Sequence, residues 1–239
     1  LDYHRVFSGV AKKVISIDDA NRIPEQLNQA WQCAVSGRPG PVIVVLYEDM
    51  LRDEVSVADI PPAGAYHRFP PAPGQDAILQ VTEELHSAKK PLIISGGNGW
   101  SRRHQTLLTG FAEQHQVPVA AAFRRQDSFD NTHPNYIGEL GLSIAPALRE
   151  YLAQSDLLLV IGPRLGEMTT EGYELLTPPL GHAGQRLVHV HPSGEEPGSV
   201  FHADVAVHSD TAEFLGAIQG ISPPPVDRQQ LINGLHARY

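Results

Sequence analysis

Two stretches of this chain, Pro91-Leu92-Ile93-Ile94-Ser95 and Leu157-Leu158-Leu159-Val160-Ile161, are apolar at successive positions rather than alternate ones. A strand of that kind has to be covered on both faces, as it is inside a parallel sheet. Three further runs have similar strand character: Val117-Pro118-Val119-Ala120-Ala121, Leu187-Val188-His189-Val190-His191 and Asp204-Val205-Ala206-Val207-His208. Segments with helical spacing alternate with them. Ile78, Val81, Leu85 and Ala88 precede the first run, Leu107, Leu108, Phe111 and Ala112 the next, and Ala147 to Leu152 the third. Phe214, Leu215 and Ile218 mark a helix after the last. Parallel neighbours need long crossovers, and helices supply them. The expectation over residues 76–221 is an α/β domain: a Rossmann-like, open, six-stranded, mostly parallel sheet with helices on both faces.

Ahead of it, Ile23, Leu27, Ala30, Trp31 and Ala34 share one helix face. The breaker string Ser36-Gly37-Arg38-Pro39-Gly40 then leads into the apolar run 41–46. One helix and one strand cannot close a core alone, so residues 1–58 read as a partial α/β unit. Five prolines between Ala58 and Gly74 mark residues 59–75 as a linker. Ser222-Pro223-Pro224-Pro225 opens a second break, with residues 222–239 expected to be a linker and the start of a further domain. The chain opens with leucine, which initiator processing does not ordinarily expose, and so reads as an internal piece of a longer protein.

The formal net charge of −9 argues against nucleic acid as a partner, since affinity for phosphate backbones rests on clustered Lys and Arg. The basic pairs Lys12-Lys13, Arg102-Arg103 and Arg124-Arg125 read as solvated faces or local ion-pair partners. No apolar run approaches the ~20 residues of a membrane helix, and the polar start does not resemble a signal peptide. A lone Cys33 rules out an intramolecular disulfide and fits a reducing, cytoplasmic setting.

In open parallel sheets, ligands bind beyond the carboxyl ends of the strands. Gly96-Gly97-Asn98-Gly99 follows one strand. Its small residues allow close backbone approach to a phosphate, or simply a tight turn. It is not a G-x-G-x-x-G fingerprint. Gly162-Pro163-Arg164-Leu165-Gly166-Glu167 follows another strand, and Arg164 is either a phosphate ligand or a surface partner of Glu167 or Glu171. His189 and His191 share a strand face, yet no third ligand stands at metal spacing, so they read as satisfied or partly exposed histidines. The adjacent Glu195 and Glu196 read as loop charges. No G-x-S-x-G elbow occurs, and Ser87-Ala88-Lys89-Lys90 lacks the partner motifs that would make it catalytic.

Several of these residues resemble a known family. Phe7 through Lys12, Ile23-Pro24, Ala30, Ala34 and the string Ser36-Gly37-Arg38-Pro39-Gly40-Pro41-Val42 resemble the end of the pyrimidine-binding domain of thiamine-diphosphate-dependent enzymes of the acetolactate-synthase-like family. Tyr47 stands where that family usually has a proline. Residues 90–97, Val117-Pro118-Val119, His133-Pro134 with Gly138 and Gly141, Ser155 through Gly162, and Arg164-Leu165-Gly166 resemble landmarks of its central domain, in order.

The resemblance implies a parent enzyme that uses thiamine diphosphate and Mg to decarboxylate or ligate 2-oxoacids. The parent would be a homodimer or homotetramer, with its remaining domains as partners of this chain. The Gly-Asp-Gly motif that holds the diphosphate and Mg is missing, since no Gly-Asp pair occurs, and the activating glutamate belongs to an earlier segment. No catalytic residue is therefore expected here. In flavin-containing relatives the central domain holds FAD, which carries over to Gly96, Gly97, Asn98, Gly162, Arg164, Glu196 and Asp210 as candidates for FAD or an ADP-like nucleotide. One departure bears on that site: Val188-His189-Val190-His191 stands where the family often has Ile-Asp-x-Asp, and imidazole cannot accept paired ribose donors as a carboxylate does. Two alternatives stand beside this reading: a free-standing Rossmann-like nucleotide-binding enzyme, and a purely structural module.

Overall fold

A computed structural model describes residues 1–56, 69–176, 184–224 and 226–238, and the chain forms two compact units, Leu1–Phe69 and Pro70–Tyr239. Residues 59–68 of the expected linker lie outside the described residues.

The first unit holds helix α1 (Tyr3–Phe7), strand β1 (Lys13–Ile17), helix α2 (Ile23–Val35) and strand β2 (Val42–Leu46). The two strands pair in parallel, Lys13 opposite Val42 and Ile17 opposite Leu46. Strand β1 is an addition to the sequence reading, because Lys13 and Ser16 interrupt the apolar pattern of Lys-Val-Ile-Ser-Ile. Ile15, Ile17, Ala20, Ala30 and Met50 form a small core. Helix α2 stops where Gly37 takes φ +48, a left-handed value that suits glycine. Lys12 is not merely solvated: its Nζ donates to the carbonyls of Ser36 and Arg38 at 2.6 and 2.9 Å, beyond the end of α2.

The second unit runs α3 (Gln75–Ser87), β3 (Pro91–Ser95), α4 (Arg102–His115), β4 (Val119–Ala121), β5 (Tyr136–Glu139), α5 (Pro146–Gln154), β6 (Leu157–Ile161), β7 (Arg186–His191), β8 (Val205–His208), α6 (Thr211–Ile218) and α7 (Gln229–His236). Its six strands form one sheet in the order β5-β4-β3-β6-β7-β8, every pairing parallel. The expected six-stranded parallel α/β architecture is present. The sixth strand is β5, a short edge strand whose Gly138 and register shift against β4 hide it from a search for apolar runs.

Apolar residues on both sides of the sheet explain the uninterrupted strands. Ile93, Val119, Leu159, Val188 and Val207 pack with Val81, Phe111 and Phe214, so α3, α4 and α6 cover one face. Leu92, Ile94, Ala120, Leu158 and Val160 pack with Leu148, Leu152 and Leu235, so α5 and α7 cover the other. Helix α7 buries Ile232 and Leu235 within this unit. Just before it, buried Arg228 donates to the carbonyls of His115 and Ala88 at 3.0 and 2.6 Å, where α4 and α3 end. Among the described residues no helix is long and apolar enough to cross a membrane.

Candidate functional site

The chain leaves β3 and builds outward through β4 and β5, then returns to the other side of β3 as β6. Crossovers therefore diverge on either side of the β3–β6 pair, whose carboxyl ends are the topological position at which open parallel sheets take ligands. Both glycine loops lie there, since one follows β3 and the other β6, and Ser95 pairs with Ile161 at the strand ends.

The two loops touch through bare backbone. Gly97 has φ +78, and a Cβ on it would sit well inside van der Waals contact with the Gly162 carbonyl oxygen. Gly162 has φ +90, and its added Cβ would come within 2.5 Å of the Gly96 oxygen and 2.9 Å of Thr211 Oγ1. A Cβ on Gly96 would meet Ala122 Cβ at 2.8 Å. Backbone contact between the two loops accounts for Gly97 and Gly162, and the Ala122 side chain for Gly96. Asn98 is exposed at the loop tip, and Trp100 Nε1–H donates to the Gly96 carbonyl. Nothing in the sequence reading singled out Trp100 or Thr211; an aromatic directly after a glycine turn was the available signal.

Arg164 pairs with neither Glu167 nor Glu171. Its Nε donates to Glu196 Oε2 at 2.8 Å, while Glu171 pairs with Arg149. The Glu196 side chain is only 12% exposed against 46% for Arg164, so Glu196 is not the solvated loop charge that its polar surroundings suggested. Asp210 accepts from Ala212 N–H at 2.8 Å and caps α6, whose first residue Thr211 is the one that approaches Gly162. The strand switch thus gathers Gly96, Gly97, Gly162 and the start of α6, with the Arg164–Glu196 pair on the loops after β6 and β7.

His189 and His191 are both buried. His189 Nε2–H donates to the Pro163 carbonyl at 2.9 Å, beneath the loop that carries Arg164. Burial pushes its pKa from the ordinary 6.5 down to about 4, so it stays neutral and holds its proton on Nε2. Ser193 N–H donates to His191 Nδ1 at 3.0 Å, and His208 Nε2–H donates to the Pro192 carbonyl at 3.1 Å. Among the described residues no group of three or more His, Cys, Asp or Glu is placed to hold a metal ion.

An open parallel sheet whose two glycine loops meet at the strand switch defines a Rossmann-like domain. Residues 78–218 match the family described as the central domain of thiamine pyrophosphate enzymes, and the chain belongs to that family. It is 28% identical to the acetolactate synthase large subunit of Parasynechococcus marenigrum over 81% of this chain and 31% of the relative. It is 29% identical to glyoxylate carboligase of Escherichia coli O157:H7 over 90% of this chain and 35% of the relative. Against acetolactate synthase isozyme 1 large subunit of Escherichia coli K12 the figures are 23% identity, 100% of this chain and 42% of the relative. The chain spans roughly a third of the length of the first curated relatives that it matches, 31% and 34% for two acetolactate synthase large subunits.

Proposed function

We propose that this chain is the central portion of a thiamine-diphosphate-dependent 2-oxoacid decarboxylase or carboligase, with residues 1–58 as the end of its pyrimidine-binding domain. The membership of residues 78–218 in the central-domain family carries this reading, and the acetolactate synthases and glyoxylate carboligase among the relatives support it. Thiamine diphosphate supplies the carbanion chemistry, with Mg holding its diphosphate. This chain has no Gly-Asp pair to serve that Mg, so its own residues hold neither group and act on neither. The working enzyme is a cytoplasmic homodimer or homotetramer in this reading. Sequencing the gene beyond Tyr239 tests it: a Gly-Asp-Gly motif followed by an asparagine is expected, and a reading frame without one overturns it.

The contribution of this chain is a nucleotide site at the β3–β6 strand switch, for FAD or an ADP-like ligand. Its residues fit the phosphate end better than the ribose end. Arg164 is half exposed on the loop after β6; the N–H groups of Gly96 and Gly162 are already donated to the Ile161 and Val190 carbonyls at 3.2 and 2.9 Å, so the backbone donors of this reading are Gly97 and Asn98. Glu196 is the counter-charge that a phosphate replaces, and Asp210 uses one carboxylate oxygen on its helix cap, leaving the other to a hydroxyl. Neutral His189 supplies no carboxylate toward a ribose. A purely structural role is the second reading, favoured by glycines that loop-to-loop contact already explains and by an arginine that already has a carboxylate. Titration with ADP and FAD separates the two: micromolar binding supports the nucleotide site, and silence toward both supports the structural module.

A further inference from the structure

The dipeptide Asn-Gly occurs twice, at Asn98-Gly99 and Asn233-Gly234, and the fold gives the two pairs opposite surroundings. Asparagine before glycine is chemically labile, because the glycine nitrogen can close on the side-chain carbonyl carbon and glycine has no side chain to obstruct the approach. The attack is intramolecular, so its rate depends on how often the backbone brings these two atoms together.

Asn98-Gly99 lies between β3 and α4, outside any helix or strand, and both residues are exposed. Nothing stands within 4 Å of the place a Gly99 Cβ would take. Among the described residues, no hydrogen bond holds the Asn98 side chain or the Gly99 N–H. The rest of the loop is secured on either side of the pair. Gly97 lies against the Gly162 carbonyl, and Trp100 Nε1–H donates to the Gly96 carbonyl.

Asn233-Gly234 lies inside α7. The Asn233 Oδ1 accepts from Gln229 Nε2 at 3.0 Å, and its backbone carbonyl accepts the Ala237 N–H at 3.1 Å. Helical backbone angles hold the next nitrogen away from the side-chain carbonyl and point its N–H along the axis. Ring closure there requires α7 to open, and α7 buries Ile232 and Leu235.

We propose that Asn98 is a site of spontaneous deamidation, the one Asn-Gly pair that the folded chain leaves reactive. The Gly99 nitrogen bonds to Asn98 Cγ, the Cγ–Nδ2 bond breaks, and the amide proton leaves with ammonia. Water then opens the resulting succinimide at either carbonyl and gives aspartate or isoaspartate. Either product adds a negative charge to the loop after β3, and isoaspartate also routes the main chain through the side chain and lengthens it. The charge arises beside the Gly97 and Asn98 N–H groups, although the modification itself does not depend on the nucleotide reading.

Peptide mass spectrometry of the wild-type chain, aged in its folded state and in parallel in urea, tests the proposal. In the folded chain Asn98 is expected to lose ammonia about 10-fold or more faster than Asn233, which reacts only through local opening of α7. In urea the two sites are expected to react at similar rates, because only the fold distinguishes them. The aged folded protein should also yield a species that elutes with Asn98→Asp on ion exchange. Equal rates at the two sites in the folded chain, or a faster Asn233, overturn the proposal. So does an Asn98 that reacts in urea but stays intact in the folded chain, since the glycine loop would then be held as firmly as the helix.

Discussion

The Arg164 guanidinium and the Glu196 carboxylate are 2.8 Å apart, Nε to Oε2, and join the loop after β6 to the loop after β7. Both residues were candidates for the same ligand, and each satisfies the other in its place. A phosphate that binds there therefore competes with an internal carboxylate. The buried member is the acid, so the cation is the one left accessible to a ligand.

Arg164→Ala is expected to weaken ADP or FAD binding by roughly 1.5–3 kcal/mol, the range of a charge-assisted hydrogen bond. Glu196→Gln should act in the opposite direction and tighten ADP, because it releases the guanidinium without changing the loop's length. Flavin fluorescence or heat of binding reads both. A Glu196→Gln protein that binds ADP more weakly would assign the carboxylate to a direct ligand contact instead.

Gly97→Ala and Gly99→Ala separate the cost of a clash from that of a backbone angle. Both residues have positive φ, +78 and +80, but Cβ at Gly97 runs into the Gly162 carbonyl and Cβ at Gly99 meets open space. The expected loss of stability is about 1 kcal/mol at Gly99 and at least about 2–3 kcal/mol at Gly97. Urea unfolding of the two variants measures the difference, and equal midpoints would mean that the loops are not locked together.

His189 makes stability depend on pH in a stated direction. Its folded pKa, about 4, lies below the ordinary 6.5, so between these values the unfolded chain binds the proton more readily. Its neutral form supports the fold fully above pH 6.5, and stability is lost as pH falls toward 4. The contribution at the acid end is on the order of 3 kcal/mol. His189→Gln, which keeps a donor toward Pro163, should flatten that part of the profile. Urea midpoints at pH 7 and pH 4.5 are the test, and an unchanged slope in the variant would remove His189 as the cause.

The purified chain is expected to show no strong heat with thiamine diphosphate and Mg, and no decarboxylation of pyruvate. The reason is compositional, since no Gly-Asp pair is present to carry the metal-binding motif. Micromolar binding of the cofactor would locate its ligands somewhere in these 239 residues and require a different division of labour.

Much of the architecture was legible from local chemistry. Unbroken apolar runs at Pro91–Ser95 and Leu157–Ile161 demanded cover on both faces, and helical periodicity between runs supplied that cover. Strands β1 and β5 escaped notice for a physical reason: Lys13 and Ser16 in one, and Gly138 in the other, break the pattern that burial writes into sequence. The two glycine loops were visible as candidates because they follow strands directly. Arg124 and Arg125, by contrast, looked alike as an exposed basic pair, yet Arg125 is held by both oxygens of Asp127 at 2.8 and 2.9 Å while the Arg124 guanidinium lies over the Phe123 ring.

Composition and periodicity determined the fold class, the parallel sheet and the strand ends at which a ligand can sit, because burial and backbone turns are local demands that each segment must meet. Partnership was decided only by the tertiary structure. Arg164 has acidic residues three and seven positions away, yet it pairs with Glu196, 32 positions on, because the neighbouring strands β6 and β7 bring their following loops together. Likewise Gly97 and Gly162 are 65 residues apart in sequence, and the register of β3 against β6 presses their backbones into contact. Sequence spacing carries no information about such meetings, since they are set by the order of strands in the sheet.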